Sequence, residues 1–397
     1  MKICLVSTGY PIANQPTASG LYTANQTLAR GLVAVGHEVH VVTFSGKQDW
    51  EDNGVNIHHV KWPTIHYYFG KAPLIGKLMV RAVREVEISF ALYRALLTYN
   101  ARLEFDIVEG GEDGATCLGF VTRRTASVIR LHGDDFTFFQ YRPGNKVPAA
   151  YRLCRIFQRI GLRYADHLIS PSVTHAQQIA NEIKRDRADI SVVPHDLPSW
   201  WPTGHDAEVQ DIVLYVGRLE YGKGIIDAFL AFRGLLDECP QAQLVVIGPN
   251  HPTVGSAIID KLIDDLLLKD HIKLLGNLPQ EQLIPWYKRA RIFIFPSYYE
   301  SFGLVALEAM ACGLPVVGYR AGAIPEVVRD AGLLVGREDI KGLTGSMLQL
   351  MSDDVSWHRM SLAAVKIADE YRHSRTVTET ELVYKKLLQR IKNQPQP

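Results

Sequence analysis

The chain has 397 residues, 47% of them hydrophobic and 21% charged, with a formal net charge of +1. That length exceeds a usual single core and predicts two globular domains, and the near-neutral balance argues against a dedicated nucleic-acid binder. The charge is uneven: from Lys61 to Arg163 there are 16 Lys and Arg against 9 Asp and Glu, a local excess of seven positive charges. Five cysteines, Cys4, Cys117, Cys154, Cys239 and Cys312, form no CxxC pair and sit mostly in apolar segments. They read as buried free thiols of a reducing compartment. The apolar run at the N-terminus is too short for a signal peptide, and no stretch reaches the roughly 18 apolar residues of a membrane-spanning helix. The expectation is a cytoplasmic protein, at most peripheral to the inner face of a membrane.

Taken in order, the first half alternates apolar strands with helical runs. Lys2–Ser7 reads as a strand, followed by a loop through Pro11, Pro16 and Gly20. Tyr22–Gly36 carries Leu28, Leu32 and Val35 at helical spacing and stops at a C-terminal glycine. Further strands are predicted at Glu38–Phe44, Val55–Trp62, Asp106–Glu109, Ser127–Leu131, His167–Ser170 and Ile190–Val193. Apolar strands separated by helices predict a parallel sheet covered on both faces, with ligands held beyond the carboxyl ends of the strands. Residues 196–206, within His195–Asp206 (HDLPSWWPTGHD), lack periodicity and read as a linker between domains 1–195 and 207–372. A second alternation follows, with strands at Asp211–Val216, Gln243–Ile247, His271–Leu275, Arg291–Phe295 and Pro315–Tyr319. The fold class is thus α/β, two doubly wound Rossmann-like domains facing a central cleft. A last helix over about 375–392 is expected to pack back on the first domain.

Four stretches carry candidate chemistry. Gly217–Gly224, GRLEYGKG, approaches the phosphate-loop pattern G-x4-G-K-[ST], but Gly224 stands where a hydroxyl would hold Mg²⁺, and no later strand ends in the required Asp. What remains is two cations, Arg218 and Lys223, at a glycine-rich turn suited to a diphosphate. Phe295–Gly313, FPSYYESFGLVALEAMACG, is a strand-to-helix turn. Its helix starts near Leu304, and the N–H groups near Phe302, Gly303 and Leu304, which lack partners within the helix, suit an anion. Glu300 lies at the mouth, and Glu308 lies inside the apolar helix. There a carboxylate costs several kcal/mol unless it finds donors, from a ligand hydroxyl or from the protein. His132-Gly133-Asp134-Asp135 ends a strand and is either functional or a satisfied loop; a metal site there is the less favoured reading. Glu109–Asp113 ends another strand, as acceptor site or solvated acidic turn.

The Glu-x7-Glu pattern in ESFGLVALE, with AMACGLPVV and AGAIPEVV after it and GRLxxxKG before it, resembles family 4 of the retaining glycosyltransferases. The similarity is dense from Gly217 to Val335, fair over residues 1–44 and at ISPS (Ile169–Ser172), and weak from Trp50 to Asn100. It implies the GT-B fold and transfer of a sugar, with retention, from a UDP- or GDP-linked donor, with no cofactor and no metal. It implies that Arg218 and Lys223 hold the diphosphate and that Glu308 bonds the ribose. Glu300, Ser301, Phe302, Gly303 and Leu304 orient the sugar, and His132 and Gly20 contribute from the first domain. His132, Glu300, Arg218 and Lys223 would be catalytic. Two positions depart from the family: Ser19 replaces a glycine beside Gly20, and Pro194-His195-Asp196 replaces Pro-Asn-Gly. The alternatives are a GT-B epimerase or phosphorylase, and a glycan- or membrane-binding protein with a dead site.

The acceptor is a glycan, a lipid-linked sugar or a small molecule. Arg152, Arg155, Arg159 and Arg163 recur at helical spacing. With Lys71, Lys77, Arg81, Arg84 and the aromatics Trp62, Tyr67, Tyr68 and Phe69, they raise the expectation of peripheral association with anionic membrane.

Overall fold

The computed structural model describes residues 1–12, 20–64, 75–112, 125–133, 149–198, 200–204, 208–251, 254–372 and 375–393. The chain forms two compact units. Of the described residues, one comprises those up to His195 together with the C-terminal helix, and the other those from Asp196 to Arg372.

In the first unit the strands are β1 (Lys2–Ser7), β2 (Glu38–Thr43), β3 (Trp50–Asp52), β4 (Val55–His59), β5 (Ile107–Gly111), β6 (Ala126–Arg130), β7 (His167–Ser170) and β8 (Ile190–Val192). The helices are α1 (Gly20–Ala34), α2 (Ile75–Leu103), α3 (Ala149–Tyr164) and α4 (Val173–Ile183). The sheet order is β3-β4-β2-β1-β5-β6-β7-β8, parallel except where β3 runs antiparallel to β4 at the edge. Central strands such as β6 are buried along their whole length because helices cover both faces. Short β3 escapes the sequence pattern because its one apolar residue, Trp50, gives no alternation. Gly36, at φ 89°, stops α1 as the sequence predicts, but Val35 is 51% exposed, one step past the buried stripe of Leu28, Ala29 and Leu32.

The C-terminal helix (Arg375–Lys392) belongs to this unit: Val377, Tyr384 and Leu387 join the core formed with Leu28 and Leu32. It also completes a buried polar cluster. Glu109 and Arg130 are each about 3% exposed and meet in a fork of 2.7 and 3.2 Å. The Tyr384 hydroxyl donates to Glu109 Oε2 at 2.7 Å, and Arg130 donates to Thr380 Oγ1 at 2.8 Å. Glu109 is therefore a structural anchor, neither a solvated turn nor an acceptor site, because a carboxylate so deep requires paired donors. Asp113 lies outside the described residues.

The four arginines of α3 do not share one solvent face. Arg155 is 1% exposed, and its Nε donates to Glu182 of α4 at 2.6 Å, while Arg159 donates to the same carboxylate at 2.8 Å. Arg152, Arg159 and Arg163 are exposed, and beside them stand Ile156, Ile160 and Tyr164 at 54, 37 and 62% exposure. Trp62 is 48% exposed and stacks on Phe44 at 4.4 Å. Lys71, Tyr67, Tyr68 and Phe69 lie outside the described residues. Among the described residues no helix is long and apolar enough to cross a membrane.

The second unit contains β9 (Ile212–Val216), β10 (Gln243–Ile247), β11 (Ile272–Leu274), β12 (Ile292–Phe295), β13 (Val316–Tyr319) and β14 (Gly332–Val335). Its helices are α5 (Ile225–Leu236), α6 (Ser256–Asp265), α7 (Gln280–Arg289), α8 (Leu304–Ala311), α9 (Ile324–Val328), α10 (Ile340–Ser352) and α11 (Asp354–Asp369). All six strands are parallel, in the order β11-β10-β9-β12-β13-β14. The order reverses between β9 and β12, and a crevice at their carboxyl ends follows from that reversal. β14, four half-buried residues, has no predicted counterpart. The stretch 196–206, expected as a connector, is in its described part built into this unit. Leu197 N–H donates to Tyr371 O at 2.9 Å, Trp201 is 2% exposed, and Arg372 donates to the carbonyls of Trp201 and Pro202 at 2.6 and 2.7 Å. A large indole gains more from the core than a loop gains from solvent.

Candidate functional site

The two motif loops of the second unit leave adjacent central strands. Gly217–Gly224 follows β9, and 296–303 follows β12. They are laced together by backbone: Tyr298 N–H donates to Gly222 O at 3.0 Å. Gly224 sits at φ 70°, and a Cβ there would lie 2.0 Å from the Pro296 carbonyl oxygen, so only glycine lets the loops approach this closely. Tyr215, near the end of β9, is 2% exposed, and its hydroxyl donates to Arg218 O at 3.0 Å and to Lys223 O at 3.4 Å. Burial pushes its phenol well above the usual range, so it remains a donor that props the loop. On the other side, the Tyr298 and Tyr319 hydroxyls both donate to Asp227 Oδ2 at 2.7 Å.

Lys223 and Glu300 meet in this frame: Nζ donates to Oε1 at 2.6 Å, with side chains 22 and 12% exposed. Glu300 is held through its backbone as well, since its carbonyl accepts from Ala323 N–H at 2.9 Å. Gly322, at φ 55°, leaves that carbonyl room, because a Cβ there would stand 2.2 Å away. The AGA of AGAIPEVV thus serves to seat Glu300. Arg218 turns to Glu220, Nη2 to Oε1 2.8 Å, and keeps 47% of its side chain exposed. Gly303, at φ 102°, precedes α8, and Leu304 begins it. Phe302 is 4% exposed with its ring edge-on to Tyr371 at 5.6 Å, so it offers the site backbone only. Ser301 is half-buried.

Glu308 lies within α8 at 9% exposure. The sequence leaves its donors open; here they come from α7. Gln280 Nε2 donates to Oε1 at 3.0 Å and the Tyr287 hydroxyl to Oε2 at 3.3 Å. Both donors are neutral, so burial wins, and the carboxyl is pushed up to about 7. Trp201 encloses the group further: its indole N–H donates to Glu308 O at 3.1 Å, and its ring meets Tyr287 edge-on at 5.9 Å.

In the first unit, Gly20 opens α1, and the preceding Ala18 and Ser19 lie outside the described residues. His132 follows β6 and is half-buried. Its backbone N–H and that of Gly133 donate to Glu112 Oε2 at 3.1 and 2.9 Å. Its ring stacks on His195 at 5.6 Å with an 11° interplanar angle. Burial, then His195, Arg130 and His175, hold the imidazole well below its ordinary range. Asp134 and Asp135 lie outside the described residues, and the described ones include no cluster of three metal-ligating side chains.

The structure therefore brings Lys223, Glu300 and the start of α8 together, places Glu308 in its own cage, and leaves Arg218 paired with Glu220. The sequence did not point to Tyr215, Asp227, Gln280, Tyr287 or Trp201, and Glu112, expected in an acceptor site or a solvated turn, instead clamps the backbone of His132 and Gly133. A hydroxyl in an otherwise aliphatic strand (DIVLYV) and the Trp pair were the signals for Tyr215 and Trp201. The others carried none.

Two open parallel sheets, with glycine-rich loops gathered at the switch point of the second, define the GT-B class of sugar transferases. Residues 204–366 match the family model described as glycosyl transferases group 1, and residues 19–196 match the glycosyl transferase 4-like domain. The chain belongs to this glycosyltransferase family, of the family 4 type. It is similar to the O-antigen chain mannosyltransferase B of Escherichia coli, 34% identical over 179 residues, which cover 45% of this chain and 46% of that protein. The chain thus spans about half the length of that relative. The N-acetyl-alpha-D-glucosaminyl L-malate synthase of Bacillus anthracis is 25% identical over 99% of both chains. Among solved structures, the sucrose-phosphate synthase of Thermosynechococcus elongatus superposes with a TM-score of 0.81 at 21% identity, covering 98% of this chain and 99% of the other. HepE of Anabaena, solved with UDP and glucose, gives 0.68 at 17% identity, covering 98% and 99%.

Proposed function

We propose that this glycosyltransferase moves a sugar, with retention of configuration, from a UDP- or GDP-linked donor to a glycan or lipid-linked acceptor, without a metal. The observation that carries this reading is the meeting of Lys223 and Glu300 at 2.6 Å beside the start of α8. A cation, a carboxylate and the N-terminal end of α8 converge there, which is the set needed for a diphosphate and for sugar hydroxyls. Lys223 exchanges Glu300 for the diphosphate, and exposed Arg218 joins it. Both stabilise the charge that grows as the nucleotide leaves, in place of a divalent ion. Released from Lys223, Glu300 accepts from sugar hydroxyls, and the backbone from Phe302 to Leu304 orients the sugar. Glu308 accepts from the ribose. His132, kept neutral, supports the sugar, and Gly20 lets the backbone come close to the phosphates. The UDP and glucose held by the Anabaena protein support a nucleotide-sugar donor. Calorimetric binding of UDP, GDP and ADP, followed by hydrolysis assays on UDP-glucose, UDP-N-acetylglucosamine and GDP-mannose, tests the reading. Absence of binding by all three diphosphates refutes it.

The acceptor side rests on α3. Exposed Arg159 and Arg163 alternate with exposed Ile156, Ile160 and Tyr164 along a depression of about 400 Å³ that Glu182 and Lys184 also line, and exposed Arg152 lies one turn earlier on the helix. Apolar tips flanked by cations suit the interface of an anionic leaflet, at about 1 kcal/mol per basic residue. We place the acceptor, lipid-linked, at the cytoplasmic face of such a membrane. Co-sedimentation with phosphatidylglycerol vesicles should exceed that with phosphatidylcholine and should fade with salt. If the protein stays in the supernatant with phosphatidylglycerol at low salt, the acceptor is soluble.

A further inference from the structure

Among family 4 sequences the segment at 194–196 is usually Pro-Asn-Gly, whereas this chain carries Pro194-His195-Asp196, and the structure gives that histidine an occupation. The backbone of His132 is fixed by Glu112, a carboxylate 4% exposed that accepts from two successive N–H groups. A backbone clamp leaves the two side-chain torsions of a histidine undetermined. The ring is bounded instead by neighbours. A Cβ placed on Gly111 would touch His132 Cδ2 at 3.7 Å, and the His195 ring lies nearly parallel to it at 5.6 Å. His195 has firm support. Val193 N–H donates to Ser170 O at 2.9 Å, and the Thr376 hydroxyl donates to Pro194 O at 2.6 Å, so the chain is pinned on either side of Pro194.

We infer that His195 is a positioning residue for His132, its stacked ring selecting the rotamer in which the His132 imidazole meets the sugar. The inference rests on the role given to His132 above. The charged and titratable groups around His132 are Arg130 on β6, His175 on α4, Glu112 after β5, and His195 itself. Arg130, His175 and His195 all act against a proton on His132, and so does burial. His195 is itself lowered to about 4, first by burial and then by Arg130. Two neutral rings can therefore stack at physiological pH, and a neutral imidazole carries one donor and one acceptor nitrogen, the pair that suits a hydroxyl.

The test compares His195→Ala with His195→Phe, which keeps a flat ring without the imidazole. In ¹³C-histidine spectra of the ligand-free chain, the His132 resonance is assigned by its loss in His132→Gln. It should not titrate between about pH 5.5 and 8 in the wild type or in His195→Phe, and should titrate toward the ordinary midpoint of about 6.5 in His195→Ala. With UDP-glucose or GDP-mannose as donor, His195→Ala should lower kcat by about 10- to 100-fold with donor KM within about twofold. His195→Phe should recover to within about threefold of wild type. The double variant His132→Ala/His195→Ala should be no slower than His132→Ala alone. An unchanged His132 resonance and unchanged kcat in His195→Ala, or an equal loss in His195→Phe, overturns the inference. Full turnover in His132→Ala would instead overturn the role of His132, and the spectra would still report whether His195 holds the ring.

Discussion

Replacing Glu308 by Gln should abolish the pH dependence that this one carboxyl imposes on the second unit. Burial between neutral donors pushes the group from 4.5 up to about 7. The sign follows from linkage. Between these values the folded chain holds a proton that the unfolded chain has released, so stability falls as pH rises through the window and is level on either side. At about 1.4 kcal/mol per pH unit the full loss is on the order of 3 kcal/mol. Glutamine does not titrate, and its amide fits the same cage: Gln280 still donates to the carbonyl oxygen, and the new NH₂ donates to the Tyr287 hydroxyl. The stability of Glu308→Gln relative to wild type should therefore climb by on the order of 3 kcal/mol from pH 4.5 to 8. In the calorimetric transition of the second unit that is a Tm gap widening by about 6–12 °C. Nucleotide binding near pH 6.5 should release a proton as ribose hydroxyls replace desolvation with hydrogen bonds, read from binding heats in buffers of different ionisation enthalpy. A Tm difference that stays constant with pH would mean that Glu308 is ionised in the fold, and the account of its cage would be wrong.

The remaining predictions concern charges. Arg218→Ala/Lys223→Ala should weaken UDP or GDP binding by about 1–3 kcal/mol per lost charge-assisted bond while leaving the fold intact, by calorimetry. Unchanged affinity for both nucleotides removes the diphosphate assignment. Glu300→Gln should mainly lower kcat and Glu308→Gln mainly raise donor KM; steady-state kinetics with the effects exchanged would reverse the roles. Turnover should survive EDTA, and loss restored by Mg²⁺ or Mn²⁺ would put a metal in the mechanism. In the first unit, Tyr384→Phe should cost about 1.5–3 kcal/mol and Glu109→Ala about 3–5, because the latter leaves Arg130 buried without its carboxylate. Urea titration showing Glu109→Ala milder than Tyr384→Phe would contradict the cluster.

The parts of the molecule legible in the sequence are those set by local pattern. β1, β7 and β10 match their expected bounds because each is an apolar run cut off by polar residues or glycine. Gly36 and Gly303 announce their turns because few other residues tolerate those angles. What stayed hidden depends on distant partners. Helical spacing groups Arg155 with three exposed arginines, and nothing local reveals that Glu182 waits on the next helix. The sequence states that Glu308 needs donors but not that Gln280 and Tyr287 supply them, 28 and 21 residues upstream. Likewise Glu109 reads as one of several acids in a turn until Arg130 and Tyr384 close on it. β14 is too short and too half-buried to register.

The closure of the first unit by the last helix has a consequence for how the protein is made. Glu109 leaves the ribosome 275 residues ahead of Tyr384, and Arg130 emerges 250 ahead of Thr380. Throughout synthesis of the second unit the first carries a buried ion pair short of two partners and an uncovered apolar stripe on α1. At about 5–20 residues per second that interval lasts on the order of 10–50 s. The second unit does not need the last helix and is able to fold without it, whereas the earlier-made one is not finished until that helix arrives. Chains truncated after residue 373 and released from the ribosome should therefore show a protease-resistant second unit beside a first unit that is still cleaved.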